Sequence, residues 1–272
     1  MPQSFFRFLL ALFLGGFFYS ACAADKTQPP IGIVIMHGKG GSPAKFVAGL
    51  AAQLERQGLL VANIEMPWSG RRDYDVDVAA ADGEVEAALE GLRGKGAQRL
   101  FVAGHSQGGL FALHFGGGKS LDGVIAIAPG GNPAGPAFRE KLGPFLNQAQ
   151  ALVAEGKGDE KVRLADYEGS RGVYPVVVAP KIYLSWFEPE GALHELAAVR
   201  HMNPATPVLF ITPTRDYAAL LNVKQQMFDA LPKNPLTKLY EPDSSHIEAP
   251  SASVEAIVAW IGAVIAAPKG TQ

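Results

Sequence analysis

Cysteine is nearly absent from this chain: Cys22 is the only one in 272 residues. No internal disulfide and no cysteine-built metal cluster can therefore form. Charge is sparse and balanced, with 24 basic residues against 26 acidic ones and a net charge of −2. No basic run is present, so nothing points to nucleic acid or to an acidic surface as a partner. No internal repeat, low-complexity tract, flavin fingerprint or metal-ligand cluster is evident, so no cofactor and no metal are expected. What the chain does have is apolar residues, 48% of the total, ample for the core of one sizeable domain.

Residues 1–23 read as a targeting segment. Arg7 supplies a short positive region, Phe8 to Phe18 is uncharged and apolar, and Ala21 and Ala23 fit the small-x-small rule for cleavage after Ala23. The expectation is an exported protein, periplasmic or secreted. Two alternatives stand beside cleavage. Phe5 to Ala24 is just long enough to be a retained membrane anchor. Ser20-Ala21-Cys22 resembles the end of a lipobox, which would make Cys22 a lipid attachment site, although Tyr19 departs from the aliphatic residue expected there. Membrane contact is expected only through this segment. Residues 24–272 are read as the folded domain.

That domain alternates strand-like and helix-like segments, the pattern of a mostly parallel α/β sheet flanked by helices. Strands are predicted at Ile31 to Met36, Leu59 to Ile64, the run entering Ser106, Gly123 to Ala128, Pro207 to Thr212 and Leu236 to Tyr240. Helices are predicted from Ser42-Pro43 to Gln57, from Val78 to Leu92, after Ser106, from Tyr217 to Leu231 and from Ser253 to Ala266. The stretch from about 130 to 205 breaks the rhythm. It is rich in Pro, Gly and aromatics, with one helix expected near Gly143 to Glu155, and reads as an inserted cap. Its aromatics either pack the cap onto the body or face a pocket.

The most informative residues are Gly104-His105-Ser106-Gln107-Gly108. They fill a G-x-S-x-G pattern between a buried strand and a helix. A serine on such a turn presents its hydroxyl at the top of the sheet, beside the N–H groups of a helix start. Ser106 is the candidate nucleophile. It needs a base, an orienting acid and donors for an oxyanion, all at the C-terminal edge of the sheet.

His246 follows the last strand and can swing toward Ser106 as the base. Asp216 lies close behind the strand Pro207 to Thr212 and can orient His246. It can also cap the helix that follows. Asp243 and Glu248 are second choices. Gln107 and Lys39 are the candidate backbone donors, with Gly40 the fallback, because the turn His37-Gly38-Lys39-Gly40-Gly41-Ser42 is free to aim an N–H inward. A phosphate-loop reading of these glycines fails on spacing. Met66, Trp68, Tyr217 and Ile247 adjoin these loops and are candidates to line a substrate site. Arg71 and Arg72 read either as binders of an anionic substrate group or as a solvated pair with Asp73 and Asp75.

In the order Ser106, Asp216, His246, these residues resemble the α/β-hydrolase superfamily. The resemblance runs from about Ile31 to Ala266 and is sharpest at Gly104 to Gly109 and at His37-Gly38. It implies a serine hydrolase with about six main strands, a cap after the strand ending near Ala128, and no clear N-terminal antiparallel hairpin. A serine rather than an aspartate at the turn argues against dehalogenase and epoxide hydrolase chemistry. The expected substrate is a small-molecule ester or thioester. A peptidase or amidase on the same fold is the first alternative, and a non-catalytic binding protein the second.

Overall fold

The computed structural model describes residues 29–268. The expected targeting segment and Cys22 lie outside them. Six strands form the central sheet, in the order β2-β1-β3-β4-β7-β8: β1 (Ile31–Met36), β2 (Leu60–Ile64), β3 (Arg99–His105), β4 (Gly123–Ile127), β7 (Val208–Ile211) and β8 (Lys238–Tyr240). All of their pairings are parallel. Every residue of β3 and β4 is buried, as parallel strands covered on both faces require.

Alternate residues feed two cores, following the two-residue period of a strand. Ile33, Ile35, Phe101, Ala103, Ile125 and Ile127 face one side, against α1 (Ala48–Arg56), α8 (Ala249–Ala252) and α9 (Val254–Ala266). Val34, Met36, Val102, Val124 and Ala126 face the other, against α2 (Val78–Gly94) and α3 (Gln107–Gly117). Asp77 caps α2 by accepting from Ala80 N–H at 2.8 Å, and Ala81, Val85, Leu89 and Leu92 form its buried face. Helix α7 (Ala218–Asp229) follows β7. Among the described residues no helix is long and apolar enough to cross a membrane.

Between β4 and β7 the chain leaves the sheet. It forms α4 (Pro136–Ala154), an antiparallel hairpin of β5 (Val162–Glu168) and β6 (Gly172–Val178), α5 (Pro180–Phe187) and α6 (Glu195–Arg200). The aromatics of this insertion that face inward are packing residues. Tyr183, Trp186 and Phe187 are buried. Trp186 meets Trp68 at 5.6 Å and Phe111 at 5.6 Å, while Phe187 meets Tyr74 at 5.0 Å between ring centres.

Local departures from the sequence expectations have physical causes. The first helix begins at Ala48, not at Ser42. Phe46 takes a left-handed φ of 52°, and Asn63 Nδ2 holds the Pro43 carbonyl at 2.8 Å, so this stretch is a turn. Helix α4 starts at Pro136 and continues through Pro144, whereas the expected start at Gly143 placed that proline in the first turn. The hairpin was not expected from the sequence.

Trp186 ties the insertion to the body. Trp186→Ala is predicted to lower unfolding free energy by about 3–5 kcal/mol, read as a shift in the urea midpoint.

Candidate active site

The backbone at Ser106 is unusual for a residue with a side chain. It sits at φ 56°, ψ −121° between β3 and α3. Ser106 N–H donates to Ile127 O at 2.9 Å, while its carbonyl receives Leu110 N–H at 3.0 Å. The flanking glycines make the turn possible. A Cβ at Gly104 would lie 2.0 Å from Gly108 O, and one at Gly108 would lie 2.5 Å from Met36 O. Strand, turn and helix therefore touch at backbone distance.

Asp216 and His246 are brought together because pairing between β7 and β8 continues past both strands. Thr212 N–H reaches Tyr240 O at 2.9 Å, Thr214 N–H reaches Pro242 O at 3.0 Å, and Arg215 N–H reaches Ser244 O at 3.1 Å. The next residues on each loop then meet: His246 Nδ1 donates to Asp216 Oδ1 at 2.7 Å. Asp216 Oδ1 also accepts Tyr217 N–H at 2.7 Å, just ahead of α7. With its proton on Nδ1, His246 keeps the Nε2 lone pair free to accept one. Ser106 Oγ makes no hydrogen bond among the described residues.

The second-choice carboxylates are occupied elsewhere. Asp243 pairs with Arg215. Glu248 Oε2 receives Ser245 Oγ at 2.6 Å and Ser245 N–H at 3.0 Å.

His105 reaches the loop that carries His246. Its Nε2 donates to His246 O at 2.9 Å, and the two rings lie 4.8 Å apart. The residue before Ser106 thus holds the backbone that carries His246. Burial, and then the neighbouring His246, push the His105 pKa down to about 3. Nothing in the sequence around His105 distinguished this role from ordinary packing.

The turn after β1 is equally fixed. His37 Nδ1 donates to Gly38 O at 2.7 Å, and its Nε2 accepts Met66 N–H at 3.0 Å. This pattern requires a neutral imidazole, and burial lowers the His37 pKa accordingly. Trp68 Nε1 donates to His37 O at 2.8 Å. Gly40 N–H is taken by Trp68 O at 2.9 Å, which removes the fallback donor. Lys39 N–H has no partner among the described residues, and Gln107 N–H belongs to the unpaired first turn of α3. A Cβ on Gly38 would lie 3.0 Å from Ser106 Cβ, so this turn and the serine are in contact.

The four candidate lining residues divide. Tyr217 and Ile247 are each 47% exposed, and the Tyr217 ring lies 4.7 Å from that of His246. Met66 and Trp68 are buried, and they hold the turn from beneath. A cavity of about 300 Å³ opens beside Gly40, with Ser69, Asp73, Tyr74, Arg171 and Tyr174 among its walls. The arginine pair is engaged internally. Arg72 bonds Glu84 at 2.6 and 2.7 Å and Asp75 at 3.0 Å, and Arg71 bonds Glu65. Asp73 instead accepts Val177 N–H at 3.0 Å.

The arrangement contains a serine on a strained turn, an imidazole oriented by a carboxylate, and two unpaired N–H groups beside the serine. Such a set can move a proton and stabilise a developing oxyanion. The sequence matches the profile of the alpha/beta hydrolase family over residues 33–260. The chain therefore belongs to the alpha/beta hydrolase family. No curated protein matches it significantly.

Solved structures share the fold at low identity. The monoacylglycerol lipase of Paleococcus ferrophilus has a TM-score of 0.60 at 21% identity, covering 86% of this chain and 94% of its own. Alpha/beta hydrolase GrgF from Penicillium sp. sh18 has a TM-score of 0.66 at 16% identity, covering 88% and 90%. A thermostable carboxyl esterase from Bacillus coagulans has a TM-score of 0.57 at 15% identity, covering 88% and 91%.

The lowered pKa of His105 sets the sign of a pH effect. Unfolded His105 binds a proton below its ordinary 6.5, whereas the folded residue stays neutral down to about 3. Its contribution is fully present above pH 6.5 and is lost as pH falls toward 3. The slope is up to about 1.4 kcal/mol per pH unit. His105→Asn is predicted to flatten the dependence of urea-unfolding free energy on pH between 6 and 4.

Proposed function

We propose that this chain hydrolyses carboxylic ester or thioester bonds through an acyl-enzyme on Ser106. The observation that carries the reading is the 2.7 Å bond from His246 Nδ1 to Asp216 Oδ1, at loop ends set against a serine elbow. His246 Nε2 takes the Ser106 proton as Oγ attacks the substrate carbonyl carbon. The carbonyl oxygen becomes an oxyanion facing Lys39 N–H and Gln107 N–H. Collapse breaks the bond to the leaving group, which takes the proton from His246. Water then repeats the sequence on the acyl-enzyme, releasing the acid and restoring Ser106.

Asp216 holds the tautomer in which His246 Nε2 can accept. Tyr217 and Ile247 form an exposed apolar rim beside His246. Relatives of the same fold named as a lipase and a carboxyl esterase favour ester over amide chemistry. The N-terminal segment supports export with cleavage after Ala23, which N-terminal sequencing of the mature protein checks.

The test is steady-state turnover of matched short-chain esters and amides. Wild type is expected to prefer the ester. Ser106→Ala and Asp216→Asn are expected to lower kcat on the order of 10³- to 10⁴-fold. Turnover that survives in Ser106→Ala would contradict the assignment. Preference for the amide would favour the peptidase alternative, and no turnover with either would favour a binding protein.

A further inference from the structure

One carboxylate in the insertion is joined to both proposed oxyanion donors. Asp166, in β5, is fully buried. Lys39 Nζ donates to its Oδ1 at 2.6 Å, and also to the Tyr167 carbonyl at 3.1 Å. Tyr167 N–H reaches the same Oδ1 at 2.6 Å. On Oδ2, Tyr74 OH donates at 2.9 Å and Tyr174 OH at 2.7 Å. Tyr74 OH in turn accepts Gln107 Nε2 at 3.4 Å. The side chains of Lys39 and Gln107 thus converge on one carboxylate, one directly and one through a hydroxyl.

The network cannot be read as a loose surface contact. The Lys39 side chain is 7% exposed and its ion-pair partner is Asp166. Its ammonium also lies 5.0 Å from the Phe138 ring and 5.6 Å from the Phe187 ring, both in the insertion. A buried ion pair is geometrically demanding, because either charge left alone is costly. Tyr74 is delivered to the carboxylate from a backbone at φ 57°, next to Asp73 at φ 50°. Left-handed φ at an aromatic residue persists only where surroundings impose it.

We propose that Asp166 is a positioning residue that sets the backbone N–H groups of Lys39 and Gln107 for the oxyanion, by gripping the first side chain directly and the second through Tyr74. This rests on the reading of the site given above. It makes the insertion part of the transition-state machinery rather than only a cover. An error of about 1 Å in such donors is expected to slow the chemical step on the order of 10- to 100-fold.

The experiment compares Lys39→Met/Asp166→Asn, Tyr74→Phe and Tyr183→Phe with wild type. The double variant removes both charges, so neither is stranded. Tyr74→Phe cuts the Gln107 link and removes one of the two hydroxyl donors to Asp166 Oδ2, while the Lys39 ion pair stays in place. Tyr183 donates to Ala165 O at 2.7 Å within the insertion and does not bond Asp166, so its variant controls for the loss of a buried hydroxyl bond in the insertion.

The readouts are kcat, KM and the Ki of a trifluoromethyl ketone, which accepts Ser106 Oγ and then carries an oxyanion. The double variant and Tyr74→Phe are expected to lose kcat on the order of 10- to 100-fold, with KM nearly unchanged. The ketone Ki should rise by the factor that kcat/KM falls. Tyr183→Phe should keep wild-type kcat. If the double variant does not fold, Tyr74→Phe decides alone. Wild-type kcat in a folded double variant or in Tyr74→Phe, or an equal loss in Tyr183→Phe, overturns the proposal while an active wild type preserves the site reading. An inactive wild type overturns both.

Discussion

The backbone of Ser106 is the constraint on which the rest of the site depends. A left-handed φ on a residue with a Cβ costs about 1–3 kcal/mol unless its surroundings impose it. Here they do. Ser106 N–H is anchored to β4 through Ile127 O, and no side chain fits at Gly104 or Gly108 because backbone occupies the space. Helix α3 can then start directly at the sheet edge, and it is buried on nearly all sides between the sheet and α6. The same close approach brings the turn after β1 against the serine.

Around that elbow, three separate stretches of chain are fixed by backbone or buried polar contacts instead of by side-chain packing alone. The loops bearing Asp216 and His246 continue the β7–β8 ladder. The ring of His105 holds the His246 carbonyl. His37 and Trp68 clamp the turn that carries Lys39. Each device uses groups whose desolvation would be costly if left unpaired, so each is either formed or strongly unfavourable.

The family fold and the main candidate residues were legible because they follow from local rules. A G-x-S-x-G pattern needs little beyond its own glycines and the strand before it. Asp216 and His246 could be placed by their position behind particular strands. The limits also had physical causes. Met66 and Trp68 adjoin the site in sequence, yet their side chains turn inward to support it, and periodicity does not report which way a loop residue points. The left-handed turn at Phe46 displaced the start of the first helix. The β5–β6 hairpin pairs locally, but the bonds that Asp166 makes to the body span long sequence separations. Lys39 and Asp166 are 127 residues apart, and nothing near either announces the other.

The central claim is that Ser106 is an activated nucleophile. Its most direct measurement is labelling with a fluorophosphonate, followed by mass mapping of the adduct, in wild type, Ser106→Ala and His246→Ala. An activated Ser106 gives a single adduct in wild type and none in either variant under the same conditions. Unlabelled but folded wild type, or an adduct that persists in Ser106→Ala, would contradict it.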